Sequence, residues 1–280
     1  MSFFLVVKAE LVRTFIIMRR YWFRTVTGMI IGYGMLVMLI IGFVSQREAV
    51  SEEMAKKLGE GNATNWALGF IIGMYAFGVV GMFSQGLQTM AQNGQLEQLC
   101  MSPHGLVTNF LARSVVGSVS NILSSAVLLW LISLTFKDTL HATGVNFAPT
   151  LILLGLTFAN LLGFGFMVGG LVLVFKQTGQ IAIMIRMALF ALAIAATEKV
   201  ATWHVVARWV AHLLPITDAA ICLKYVLIQG QMHDGVFSSV FAHPSFWFLI
   251  FNCAFWTLTG ISCFRVLENW SRSKGTLGAY

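Results

Sequence analysis

The residues of this chain that could do chemistry are few: two histidines on one stretch, His204 and His212; a lone carboxylate, Glu97, in "GQLEQLCMSPHG"; and a row of glutamines, Gln85, Gln88 and Gln92. A histidine pair can hold a metal only if both rings reach one ion, and two turns of helix between His204 and His212 make a poor chelate. Packing or interface roles suit the six dispersed histidines better. A carboxylate between two apolar stretches is either a solvated loop residue or a contact for a basic partner. The glutamines share one helical face near the end of an apolar segment, where lipid would penalise them. They therefore line a polar entrance or bond a neighbouring helix.

Several reaction classes lack their residues altogether. No GxxxxGK[ST] loop is present to cradle nucleotide phosphates, and the chain has no Gly-Lys pair. HExxH, GxSxG and CxxC are also missing, so hydrolase, zinc-protease and deaminase chemistry have no constellation to work with. Cys100, Cys222, Cys253 and Cys263 pair in no metal or disulfide spacing and read as small buried hydrophobes. This chain is not expected to be an enzyme or to hold a metal or cofactor.

The elements that position these residues follow from composition. Of 280 residues, 58% are hydrophobic and 10% charged, and mean hydropathy is +0.80, which places the chain in a bilayer. Apolar windows fall at 25 to 44, 66 to 88, 109 to 136, 148 to 175, 181 to 197 and 246 to 266. The expectation is an all-α polytopic membrane protein with six transmembrane helices. No Asp or Glu lies near the centre of any window, which weakens an ion-coupled carrier. The first window is too long, and too far from the start, for a cleaved leader.

Net charge +7 could suggest nucleic acid, but the basic residues gather at membrane boundaries, where the positive-inside rule accounts for them. Lys8, Arg13, Arg19, Arg20 and Arg24 precede the first window and Arg265, Arg272 and Lys274 follow the last, so both termini are expected in the cytoplasm. The 45 to 64 loop, with Glu48, Glu52, Glu53 and Glu60, suits the opposite side and has room for a short helix around "REAVSEEMAKKL".

Residues 1 to 24 form a separate unit, an amphipathic interface helix. Phe4, Val7, Leu11, Phe15, Met18 and Trp22 share one face, and Glu10, Arg13, Arg20 and Arg24 the other. Residues 25 to 280 form one transmembrane domain. Within it Arg113 can snorkel, Asn121 is expected to bond a neighbouring helix, and Arg186 either snorkels or faces an inner cavity that the glutamines also line. Gly28 and Gly32, Gly69 and Gly73, and Gly165 and Gly169 have GxxxG spacing, which points to tight internal packing. The 198 to 245 region carries Glu198, Lys199, Arg208, His212, Asp218 and Lys224, too many charges for a lipid-exposed span. It reads as an outer helical hairpin before the last span, partly re-entrant, and broken at Pro215.

"GQLEQLCMSP" resembles the cytoplasmic segment G-x-L-E-x-L-x-x-S-P between the second and third helices of ABC-2 type permeases, and "LLPITDAAICLKYVLIQG" resembles the family's proline-containing stretch before the last span. The six-span order and the interface helix are similar over the whole chain. The chain departs from the pattern at "TEKVATWH" after the fifth window, where no early proline stands. The resemblance implies the membrane subunit of an exporter in a prokaryotic inner (cytoplasmic) membrane, moving an amphipathic or lipid-like molecule or a drug. It implies two copies of an ATP-binding subunit, holding ATP and Mg, and a second permease subunit, in a homodimer or a heterodimer. Gln95, Glu97, Gln98, Ser102 and Pro103, in a coupling loop at about 89 to 108, are then the contacts with the ATPase. The alternative is an ion-coupled secondary transporter or channel that acts without an ATPase.

Overall fold

The computed structural model describes residues 3–49, 62–100, 105–135, 147–175, 179–197, 200, 203–229 and 240–274. Every regular element among them is a helix. That is what a bilayer demands of an open chain, since each backbone amide and carbonyl must find its partner within the segment. In chain order they are α1 (Phe3–Arg20), α2 (Trp22–Ala49), α3 (Asn62–Gln92), α4 (Gln95–Cys100), α5 (Gly105–Thr135), α6 (Phe147–Phe175), α7 (Gly179–Ala195), α8 (Val205–Leu213), α9 (Thr217–Lys224) and α10 (Pro244–Ser273), with a π-helical turn over Tyr225–Gln229.

Among the described residues four helices are long and apolar enough to cross a membrane: Asn65–Gln92, Gly105–Leu128, Ala148–Phe175 and Pro244–Ser273. A fifth results if α8 and the segment Thr217–Ile228, bent 87° from it, count as one span. The expected six is therefore reached only in part among the described residues. The first window lies in α2, whose side chains are partly outside them, and the fifth window is α7, whose apolar stretch Gln180–Ala195 is shorter than a full span. Most of the 45 to 64 loop, including the anticipated short helix, falls outside the described residues.

Helix ends follow ordinary chemistry. α10 opens with Pro244 in its first turn, where a missing amide costs nothing, and His243 Nδ1 accepts from the Ser245 amide at 3.3 Å. Pro149 likewise sits in the first turn of α6. Inside the spans, hydroxyls return to their own helix: Ser114 Oγ donates to Phe110 O at 2.7 Å and Thr157 Oγ1 to Leu153 O at 2.6 Å, which removes polar groups from lipid.

The core joins α3, α5, α6 and α10 through a column of rings. Phe83 packs on Phe110 at 5.7 Å and on Phe166 at 4.9 Å, and Phe166 packs edge-on to Phe264 at 5.2 Å. Small residues let the helices approach. Gly165 and Gly169 face Phe83 and Leu87, Gly69 and Gly73 face Ile194 and Phe190 of α7, and Gly163 meets Gly260 where α6 crosses α10. Internal packing thus accounts for two of the GxxxG pairs. Gly28 and Gly32 of α2 have open space instead. Asn121 reaches Met82 Sδ on α3 at 3.9 Å, the interhelical contact expected of it.

Candidate functional site

The stretch "GQLEQLC" is a short helix clamped between two left-handed glycines. α3 ends as Gly94 takes φ 68°, with its amide donating to Ala91 O at 3.1 Å, and Gly105 takes φ 70° as α5 begins. Between them α4 is two-faced. Leu96 is 1% exposed and belongs to the main core, Leu99 packs against that core, and Gln95 and Gln98 are exposed. The Glu97 side chain and residues 101–104, with Ser102 and Pro103, lie outside the described residues. Leu96 is the residue sequence reasoning passed over. Its signal was its place in an i, i+3 apolar pair with Leu99.

Only Tyr21 separates α1 from α2, and Tyr21 N–H to Ile17 O at 2.8 Å with Thr25 N–H to Tyr21 O at 3.3 Å carries helical bonding across the junction. α1 buries no residue completely; of its apolar face Phe4, Leu11 and Phe15 are exposed, as is Trp22 at the start of α2, while Val7 and Met18 are half-buried. Glu10, placed on the polar face by the helical wheel, is half-buried, because α1 packs along α5 on that side and Arg13 Nη1 meets Glu10 Oε1 at 3.2 Å. Arg20 is exposed, with its guanidinium 6.0 Å from the Tyr21 ring, and the Arg24 side chain lies outside the described residues.

The polar stripe is split. Gln85 and Gln92 are exposed and Gln88 is half-buried, but Arg186 does not join them. It is turned into the protein rather than snorkelling: at 4% exposure its Nε donates to Phe77 O at 3.0 Å and its guanidinium lies 3.6 Å from the Phe77 ring. Phe77 is eight positions before Gln85 on α3, about 12 Å along the axis at 1.5 Å per residue. Room for the guanidinium comes from Gly81, where a Cβ would stand 2.6 Å from Nη2. Nη1 has no hydrogen-bond partner among the described residues. A buried cation with one nitrogen left unpartnered costs more desolvation than its single backbone hydrogen bond and ring contact recover, so Arg186→Met is expected to stabilise the protein by about 1 kcal/mol. The measurement is the melting temperature in detergent, which should rise; a fall of several degrees would refute this reading of the site.

The charged 198 to 245 region resolves into a buried polar elbow. α8 ends at Leu213 and the chain turns at Pro215 into α9, all of whose residues are buried. Carbonyls freed at the break are taken by other helices: Asn252 Nδ2 donates to His212 O at 2.6 Å, Trp256 Nε1 to Leu213 O at 2.9 Å, and Asn160 Nδ2 to Pro215 O at 2.8 Å. His212 Nδ1 lies 2.8 Å from Asp218 Oδ1, and the imidazole stacks on Phe248 at 5.0 Å. Asp218 occupies the first turn of α9, where the helix dipole favours an anion. Lys224, at the other end, gives all three ammonium donors to Ala193, Ile194 and Ala196 carbonyls at 3.0, 3.0 and 2.6 Å, closing the C-terminus of α7. Glu198 and Lys199 fall outside the described residues. Among the described residues no group of three His, Cys, Asp or Glu stands close enough to hold a metal ion.

An arrangement of this kind holds helices at fixed angles and offers a small anchored helix outward. Residues 6–228 match the family model described as ABC-2 type transporter, which covers most of the chain. No curated protein matches it.

Proposed function

Since this chain belongs to the ABC-2 type transporter membrane-domain family, and is a multi-pass permease with no catalytic domain of its own, we propose that it forms the membrane path of an exporter and receives its driving force at α4. Permeases of this family generally pair with ATP-binding subunits. Here two such subunits, carrying ATP and Mg, would serve a dimer of this chain with itself or with a related permease. The observation that carries the reading is the anchoring of α4: Leu96 and Leu99 are set in the core while Gln95 and Gln98 face out. A loop transmits motion only if it cannot deform before its support moves. Gln95, Glu97, Gln98, Ser102 and Pro103 make the contact, with Glu97 meeting a basic residue of the ATPase.

Six spans follow if α2 and α7 cross together with the four long helices. In that arrangement both termini and the 89 to 108 loop are cytoplasmic, α1 (within 1 to 24) lies along the inner leaflet, and the 198 to 245 hairpin returns from the outer side. The membrane is the inner membrane of a prokaryote. An amphipathic or lipid-like cargo, or a drug, is supported by two separate surfaces. Gln85, Gln88 and Gln92 offer polar groups at one end of α3, and an apolar cavity of about 460 Å³ between α6 and α7 is lined by Leu171, Phe175, Ile181 and Ile185.

The test is co-purification with the ATP-binding subunit followed by ATP turnover. Glu97→Arg is expected to lower complex recovery and stimulated turnover about tenfold, the equivalent of 1.4 kcal/mol, with unchanged melting of the permease alone. Unaltered recovery and turnover would remove Glu97 from the contact.

A further inference from the structure

A cavity of about 240 Å³ opens where α1 meets α3 and α5, and it is lined by Glu10, Arg13 and Thr14 of α1 and by Arg113, Ser114 and Gly117 of α5. Its charges do not balance. Glu10 is engaged by Arg13 of its own helix, at 3.2 and 3.5 Å to the two carboxylate oxygens. Arg113, half-buried nine positions into α5, makes no ion pair among the described residues, and it lines the same cavity as Arg13 and Glu10. One positive charge is therefore left over in a partly enclosed, low-dielectric space, where an unpaired guanidinium is costly.

Depth limits what can balance it. α1 exposes Phe4 and Phe15, at 79% and 68%, beside exposed Lys8, Arg19 and Arg20. Such a helix rests at the boundary between acyl chains and headgroups. A cavity walled by that helix and by two spans opens at headgroup depth. At about 240 Å³ it has room for a small polar headgroup but not for acyl chains.

We propose that this cavity is a binding site for the phosphodiester of an anionic phospholipid, with the planar guanidinium of Arg113 as the principal ligand, Arg13 as the second cation and the Thr14 hydroxyl as a further donor. The lipid's acyl chains lie along the exposed apolar face of α1, and the bound headgroup ties α1 to α5. This rests on reading α1 as an interfacial helix, and it is independent of how α4 meets an ATPase.

The experiment is native mass spectrometry of the purified full chain titrated with phosphatidylglycerol, with phosphatidylcholine and, in a separate arm, with soluble glycerol 3-phosphate. The wild type should retain phosphatidylglycerol at least about tenfold better than either alternative, and Arg113→Gln should abolish that preference. Glu10→Gln frees Arg13 and should raise retention severalfold, a gain that misfolding cannot imitate. Arg265→Gln, an exposed basic residue near the end of α10, should change nothing. Equal binding of glycerol 3-phosphate would make this a site for a soluble phosphate and overturn the lipid assignment. Unchanged retention in Arg113→Gln, or none gained in Glu10→Gln, would overturn the site itself. Loss of ATPase recovery in Arg113→Gln with lipid retention intact would assign the cavity to the protein partner instead.

Discussion

Gly260→Val is expected to leave almost no monodisperse protein. α6 and α10 pack against each other more extensively than any other helix pair, and at their crossing backbone touches backbone. A Cβ on Gly260 would overlap the carbonyl of Gly163, and a Cβ on Gly163 would overlap the carbonyl of Trp256 and the amide of Thr257. A flexible side chain can swing aside, but these neighbours are main chain held in helical hydrogen bonds. The helices must separate, and the ring contact between Phe166 and Phe264 loosens with them. Overpacking an ordinary core costs about 1 to 3 kcal/mol, and a backbone clash lies at or beyond the upper end of that range. Fluorescence-detected size exclusion in detergent should show at least a tenfold loss of the main peak. Gly155→Val, on the same helix α6 but with open space around it, should keep the wild-type profile. A normal profile for Gly260→Val would mean that α6 and α10 do not cross where described.

The second large effect is expected at Lys224. Like Arg186 it is a buried cation, 4% exposed, yet the sign of its replacement should be opposite. The difference lies in how many donors are satisfied. Arg186 makes one backbone hydrogen bond and leaves Nη1 unpartnered, whereas all three protons of the Lys224 ammonium are placed on carbonyls at the end of α7. Those carbonyls have no further amide in the helix to accept from, and a cation there also complements the dipole. Lys224→Met keeps the length of the side chain and strands the acceptors in an apolar interior, at roughly 1 to 3 kcal/mol for each group left unsatisfied. Losing the cation's own desolvation cost offsets part of this. The net is a destabilisation of several kcal/mol by that estimate, seen as a markedly lower melting temperature and faster hydrogen exchange in the last turn of α7. Lys224→Arg should not rescue it, because a planar fork does not match three converging carbonyls. Melting equal to wild type for Lys224→Met would refute the capping role.

What could be read in the sequence was whatever lies along one helix. The apolar windows, the two-faced helix at the start, the break at Pro215 and the short "GQLEQLC" helix depend on neighbours within a few positions. Contacts between helices were hidden. A GxxxG scan finds glycines four apart on one helix, and so cannot show that Gly163 pairs with Gly260, 97 positions on. Lys224 reads as one charge too many in an apolar stretch until α7 ends beside it. Arg186 looked able to snorkel because snorkelling assumes a lipid-facing helix end, and its helix instead turns that side against α3. Leu96 was ordinary in type, and only the fold makes it the anchor of α4.

The carbonyls of the elbow also constrain how the permease can move. Asn160 belongs to α6 and Asn252 and Trp256 to α10, and all three close the same short run of backbone from His212 to Pro215. Sliding either helix past the other would break all three of these bonds together. α6, α10 and the elbow are therefore expected to travel as one stiff block in any motion of the permease.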